Sequence, residues 1–158
     1  MRVLPSHPGV LTVSCDGAAR GNPGPAGIGV VIASGDDVLD RIAEGIGVAT
    51  NNVAEYRAAI AGLARASELG APEVVLRSDS RLLIEQLAGR FRVKNPTLQR
   101  LHKEARDLAA RFDRVRFVHV PREMNKDADR LANEGVDRWL AEEGASWRPA
   151  SPPPKLWE

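Results

Sequence analysis

Four carboxylates lie far apart along this 158-residue chain, each where a regular element is expected to begin or end. Asp16 follows the strand-like run 10–15 and precedes a loop holding Gly17, Gly21, Pro23 and Gly24. Asp79 follows the compact apolar run 73–78, while Glu55 and Asp129 fall in the first turns of two expected helices. In an open α/β sheet, ligands bind at the rim formed by the carboxyl ends of the strands. Acids meeting there would repel one another unless a cation neutralised them. An all-oxygen donor set, with no cysteine cluster and no suitably placed histidine, suits Mg²⁺ or Mn²⁺. Two such ions about 3.5–4 Å apart are the usual apparatus for in-line displacement at a phosphodiester.

Each acid also has an ordinary structural role. Asp16-Gly17 is a common turn dipeptide. Asp79 can cap the helix that follows it. Glu55 stands three residues after Asn52, in the spacing of a capping box. Asp129 is favoured near a helix start by the helix dipole. These roles account for the acids one at a time and leave their convergence on one crevice unexplained.

The elements that must position them follow from periodicity. Residues 10–15, 26–33 and 38–48 read as strands, with Ser34-Gly35-Asp36-Asp37 as a hairpin turn. Short connections make these an antiparallel meander. From Asn52 to near Gly70 the period changes, and Val53, Tyr56, Ala59, Ile60 and Leu63 form one helical stripe. A strand at 73–78 precedes a helix with Leu82, Leu83 and Leu87 inward, ending at Gly89. Pro96 opens a third helix running to about Phe112, with Leu98, Leu101, Ala105, Leu108 and Ala109 inward. A fifth strand spans 115–120, and a fourth helix runs from Asn125 through Leu140. The order β-β-β-α-β-α-α-β-α implies a mixed sheet with a parallel part; if its first, fourth and fifth strands run parallel, Asp16 and Asp79 end neighbouring strands at one rim.

Length and composition set the class. A chain of this size suits one domain with its own core. No apolar run approaches the ~20 residues of a membrane span, and no signal pattern opens the chain, so a cytoplasmic protein is expected. The lone Cys15 excludes an internal disulfide and reads as a small buried residue facing away from Asp16. Net charge is only +1, so any nucleic-acid contact must rest on local patches. Residues 1–9 read as a leader, 10–143 as the working domain, and the Pro-rich stretch 144–158, with Trp147 and Trp157, as a mobile tail.

Groups beside the acids fit a polyanion. Thr50, Asn51 and Asn52 stand at a helix start, a ready phosphate seat. Arg20 and Asn22 sit in the Gly-rich loop. Arg90, Arg92 and Lys94 flank Phe91 in a short basic connector. His119 reads as a packed strand residue rather than a catalytic base.

Taken in order, Asp16-Gly-Ala-Ala-Arg-Gly-Asn-Pro-Gly-Pro-Ala-Gly, Thr50-Asn-Asn-Val-Ala-Glu55, Ser78-Asp79-Ser80 and Asn125-Lys-Asp-Ala-Asp129-Arg-Leu-Ala-Asn resemble the type 1 ribonuclease H family. The likeness covers roughly residues 10–140. It implies an α/β, ribonuclease H-like fold: a five-stranded mixed sheet of order 3-2-1-4-5, strand 2 antiparallel, with helices on both faces. It further implies an endonuclease that hydrolyses the RNA strand of RNA–DNA hybrids with two metal ions, leaving 5′-phosphate and 3′-hydroxyl ends. Asp16, Glu55, Asp79 and Asp129 match the family's metal-binding catalytic acids, and Asn22, Thr50, Asn51 and Asn52 match groups touching the hybrid backbone. The RNA 2′-hydroxyl near the acids separates RNA from DNA.

Two features depart from many relatives. Gly89 to Pro96 is too short for a basic protrusion, which leaves the grip to Arg90, Arg92 and Lys94. The connection Pro121-Arg-Glu-Met-Asn125 lacks the loop histidine, for which Glu123 is the candidate substitute. A monomer working on hybrid without an obligatory protein partner is expected. The competing readings are a hybrid-binding module that does not cut, and a nuclease of this fold acting on double-stranded RNA or RNA–DNA junctions.

Overall fold

Alternation of buried and half-buried residues builds the central sheet of the computed structural model, which describes residues 9–143. The leader, apart from Gly9, and the tail at 144–158 lie outside the described residues. The strands are β1 (Val10–Ala19), β2 (Gly24–Ser34), β3 (Asp37–Ala49), β4 (Glu73–Ser78) and β5 (Arg114–His119). They stand in the order β3-β2-β1-β4-β5, with β2 antiparallel to β1 and β3, and β1, β4 and β5 parallel. The expected topology is therefore observed.

The helices are α1 (Asn51–Glu68), α2 (Arg81–Leu87), α3 (Pro96–Ala109) and α4 (Lys126–Glu143), with a short 3-10 turn at Arg122–Met124. Alternation along β2 sorts them to two faces. Val30, with Val13 of β1, meets α1 at Gly62, whereas Gly27 and Gly29 meet α4. The core around Leu11, Val13, Val30, Ile32, Tyr56, Leu63, Leu76, Leu83 and Leu87 lies beneath α1 and includes Leu98 and Leu108 of α3. Each such fully buried aliphatic side chain contributes about 1.5–3 kcal/mol.

Several local expectations are corrected. β1 does not stop at Asp16 but continues to Ala19, because Asp16 to Ala19 pair with Gly29 to Ala26 of β2. Leu82 is 39% exposed; Ile84 takes its inward place beside Leu83 and Leu87. The third helix ends at Ala109 rather than near Phe112, although Phe112 still reaches the core. The last helix opens at Lys126, one residue after Asn125.

Candidate active site

The rim near Asp16 exists because two neighbours of β1 end at different heights. Parallel pairing with β4 ends at Ser14 and Arg77, while antiparallel pairing with β2 carries on. Asp16 thus projects past the end of β4, and Asp79 follows directly after Ser78. Asp79 does not cap α2, since Ser80 does so by accepting from Leu83 N.

Glu55 arrives on α1. Thr50, not Asn52, caps this helix, its Oγ1 accepting from Val53 N at 3.3 Å. Glu55 is therefore no capping-box partner. It is buried, and its Oε2 accepts from the Gly17 backbone N–H at 3.2 Å. A side chain at position 17 would lie 2.3 Å from the Ala54 carbonyl carbon, so only glycine lets α1 approach this closely.

Asp129 arrives on α4. The buried Asn125 donates from Nδ2 to the Cys15 carbonyl at 2.9 Å, pinning the start of α4 to the residue before Asp16. Asn133 donates to the Asp129 carbonyl at 3.0 Å one turn later. Asp129 lines the same cavity as Asp16, and its carboxyl adds to the upward push on the Asp16 proton affinity.

Carboxylate oxygens of Asp16, Glu55 and Asp79 all lie within 4.8 Å of one another. Asp129 joins them in lining a cavity of about 630 Å³, with Asn51, Ser80, His119, Arg122 and Asn133 also on its wall. Among the described residues no lysine or arginine pairs with Asp16, Glu55 or Asp79. Burial, and next the Glu55 charge, push the Asp16 carboxyl far above its usual range. Burial, and next the Asp79 charge, push Glu55 upward too. This cluster is hostile to its own ionisation without a cation, and its oxygen-only donors fit a hard divalent ion.

The substrate candidates divide. Asn51 lines the cavity, and its backbone N–H donates to Asn22 Oδ1 at 3.0 Å, so the Gly-rich loop and the α1 start form one edge. Thr50 is occupied as the cap, and Asn52 is exposed beyond the cavity wall. Arg20 is committed to α4, with a 2.7 Å ion pair to Asp137 and contacts to Asn133. Arg90 is held by Glu85 through two bonds of 2.6 and 2.9 Å. Arg92 and Lys94 are exposed.

Glu123 is off the wall of the acid cavity but lines a neighbouring depression together with Asp129. One further expectation changes. His119, expected to be packed, is exposed on the cavity wall, and its Nε2 lies 3.2 Å from the Asp79 carbonyl oxygen. As the last residue of β5, paired with Ser78, it stands at the rim instead. That pairing is the signal that could have found it.

Comparison with known proteins follows the same boundaries. The reverse transcriptase-like family matches residues 14–135. The chain is 46% identical over 142 residues to a bifunctional protein of Mycobacterium tuberculosis, covering 89% of this chain and 39% of that protein. It thus spans about two-fifths of the length of that relative. It is 46% identical over 138 residues to ribonuclease HI of Halobacterium salinarum, covering 85% of this chain and 68% of that one. The crystal structure of LC11-RNase H1 in complex with an RNA/DNA hybrid superposes with a TM-score of 0.78 at 41% identity, covering 82% of this chain and 99% of that one.

Proposed function

This chain belongs to the type 1 ribonuclease H family, and we propose that it is an endonuclease hydrolysing the RNA strand of RNA–DNA hybrids, with residues 10–143 as the catalytic domain. The observation that carries this reading is the meeting of Asp16, Glu55 and Asp79 within 4.8 Å, beside Asp129.

Asp16, Glu55, Asp79 and Asp129 would hold two divalent ions, Mg²⁺ or Mn²⁺. When bound, such ions supply an activated water and stabilise charge on the leaving 3′ oxygen, giving a 5′-phosphate and a 3′-hydroxyl. The protein's own groups do the rest. Gly17 N–H orients Glu55 through its Oε2. Asn125 holds the start of α4 against Cys15 and so sets the height of Asp129. Asn22 and Asn51, joined by the Asn51 N–H to Asn22 Oδ1 bond, form the edge on which a backbone phosphate would rest, at the positive end of the α1 dipole. Arg122, also on the cavity wall, offers donors to the phosphate. The protein is taken to act as a monomer.

The test is cleavage of labelled hybrid, RNA duplex, DNA duplex and an RNA–DNA junction, with Mg²⁺, Mn²⁺ or EDTA. Cutting of the hybrid's RNA strand alone, abolished by EDTA, is the expected result. Binding without cutting would leave a hybrid-binding module, and preference for RNA duplex or a junction would reassign the substrate.

The grip is expected to rest on the connector. Replacing Arg92 and Lys94 together by Ala should weaken hybrid binding and reduce the slope of log K against log salt by about 2, one phosphate contact per cation. Binding measured in EDTA across a salt series reads this directly. An unchanged slope would assign both cations to solvated surface.

A further inference from the structure

The connector between α2 and α3 has no regular secondary structure, yet its backbone is tied down at nearly every residue. Arg90 N and Phe91 N both donate to the Glu85 carbonyl. The Arg92 carbonyl accepts from Gln86 Nε2 at 3.2 Å, and the Val93 carbonyl from Gln99 Nε2 at 3.0 Å. Asn95 caps α3 through Thr97 and Leu98. The tie through Gln86 leads toward the acids. Gln86 is buried, and its Oε1 accepts from the Tyr56 hydroxyl at 2.6 Å, also buried. Tyr56 directly follows Glu55 in α1.

An unbroken line therefore runs from Glu55 through Tyr56 and Gln86 to Arg92. His102 supports it twice, with Nε2 3.0 Å from the Gln86 carbonyl oxygen and its ring edge-on to Tyr56. A buried glutamine with both ends of its amide used has one orientation available, because turning it would leave a buried donor and acceptor without partners. The consequence falls on the connector's exposed cations that have no ion-pair partner among the described residues. Arg90 is neutralised by Glu85, which leaves Arg92 and Lys94 to meet a polyanion.

We infer that the Tyr56–Gln86 pair is a positioning device for substrate: it holds Arg92 and Lys94 at a set distance from the acid cavity, so that both engage the hybrid's phosphates while a scissile bond lies at Asp16. This rests on the hybrid-cleaving reading above. The seven residues of α2 separate Asp79 and Ser80 from the connector. They rise about 10 Å, roughly three steps of about 3.4 Å along one strand. The contact it supports is thus remote from the bond broken, where lost binding raises KM without lowering kcat.

Tyr56→Phe removes the hydroxyl and keeps the ring, and is compared with Arg92→Ala/Lys94→Ala and with the triple variant. For Tyr56→Phe the expected result is a KM for hybrid raised about three- to tenfold, the loss of one hydrogen bond's worth of order, with kcat within about twofold. The salt slope of binding in EDTA should fall as well. In the triple variant KM should match that of Arg92→Ala/Lys94→Ala, because the pair acts only through those cations. A KM change that adds in full to that of the double variant, or a lowered kcat with unchanged KM and salt slope, would overturn the inference and leave a purely structural pair. Gln86→Met, which removes both ends of the link, repeats the comparison should Tyr56→Phe show no effect. Wild-type cleavage of the same hybrid in Mg²⁺ is the control: if it is absent, the hybrid-cleaving reading has failed rather than the role of the pair.

Discussion

Asp16→Asn is expected to lower hybrid cleavage by about 10³-fold or more, since a group placed to hold charge in a water-poor site has no substitute there. The same change should stabilise the protein in the absence of metal. Burial and the neighbouring acids raise the Asp16 and Glu55 carboxyls above their ordinary values. The folded chain then retains protons that the unfolded chain releases from about pH 4 upward. Where the folded state binds more protons, stability falls as pH rises. Metal-free wild type should therefore melt at a lower temperature at pH 8 than at pH 5, and Mg²⁺ should restore more at pH 8 than at pH 5. Asp16→Asn removes a group that must take up a proton on folding, so its metal-free melting temperature should vary less with pH and exceed that of wild type at pH 8 by a few degrees, about 2–4 °C per kcal/mol relieved. Thermal melts at both pH values, in EDTA and in Mg²⁺, measure this. A wild-type melting temperature flat across that range would mean the acids are not crowded in solution, and full activity in a folded Asp16→Asn would remove the metal-holding role.

Gly29→Ala carries the second large effect, and it acts on backbone rather than on chemistry. Gly29 is paired with Asp16 across the β1–β2 ladder. A methyl group there would stand 2.0 Å from the Ala128 carbonyl oxygen and 2.5 Å from Ala132 N, both backbone atoms of α4. No rotamer change relieves that contact, so α4 must move away from the sheet. Overpacking of this kind costs about 2–4 kcal/mol, a drop in melting temperature of roughly 5–12 °C. Because Asp129 follows Ala128, the shift also carries a candidate metal-holding acid away from Asp16. Activity well below the melting temperature should fall by about 10²-fold, the size of loss that follows from displacing a reacting group by about 1 Å. Denaturant titration and cleavage at a low temperature separate the two effects. Retention of both stability and rate would show that α4 is not seated as closely as the glycines imply.

The chain by itself determined the elements, their order and the identity of the acids. Hydrophobic period distinguishes α1 and α3 from the strands wherever they occur in the chain, and short connections among β1, β2 and β3 allow little but a meander. Glycine at 17, 27 and 29 was visible as letters, but its reason was not, since close approach involves two segments far apart in sequence. Tertiary structure alone decided four matters near the site. β1 runs past Asp16 because β2 offers it partners there. Thr50 took the cap of α1, which left Glu55 free to face Gly17. Arg20 and Arg90, legible as cations, were claimed by Asp137 and Glu85. His119, read as a packed strand residue, stands exposed on the cavity wall. Periodicity reports which side of an element a residue occupies. It does not report what stands on that side, because the end of a neighbouring strand and the choice of ion-pair partner are set by segments far away in the chain, as Asp137 is from Arg20.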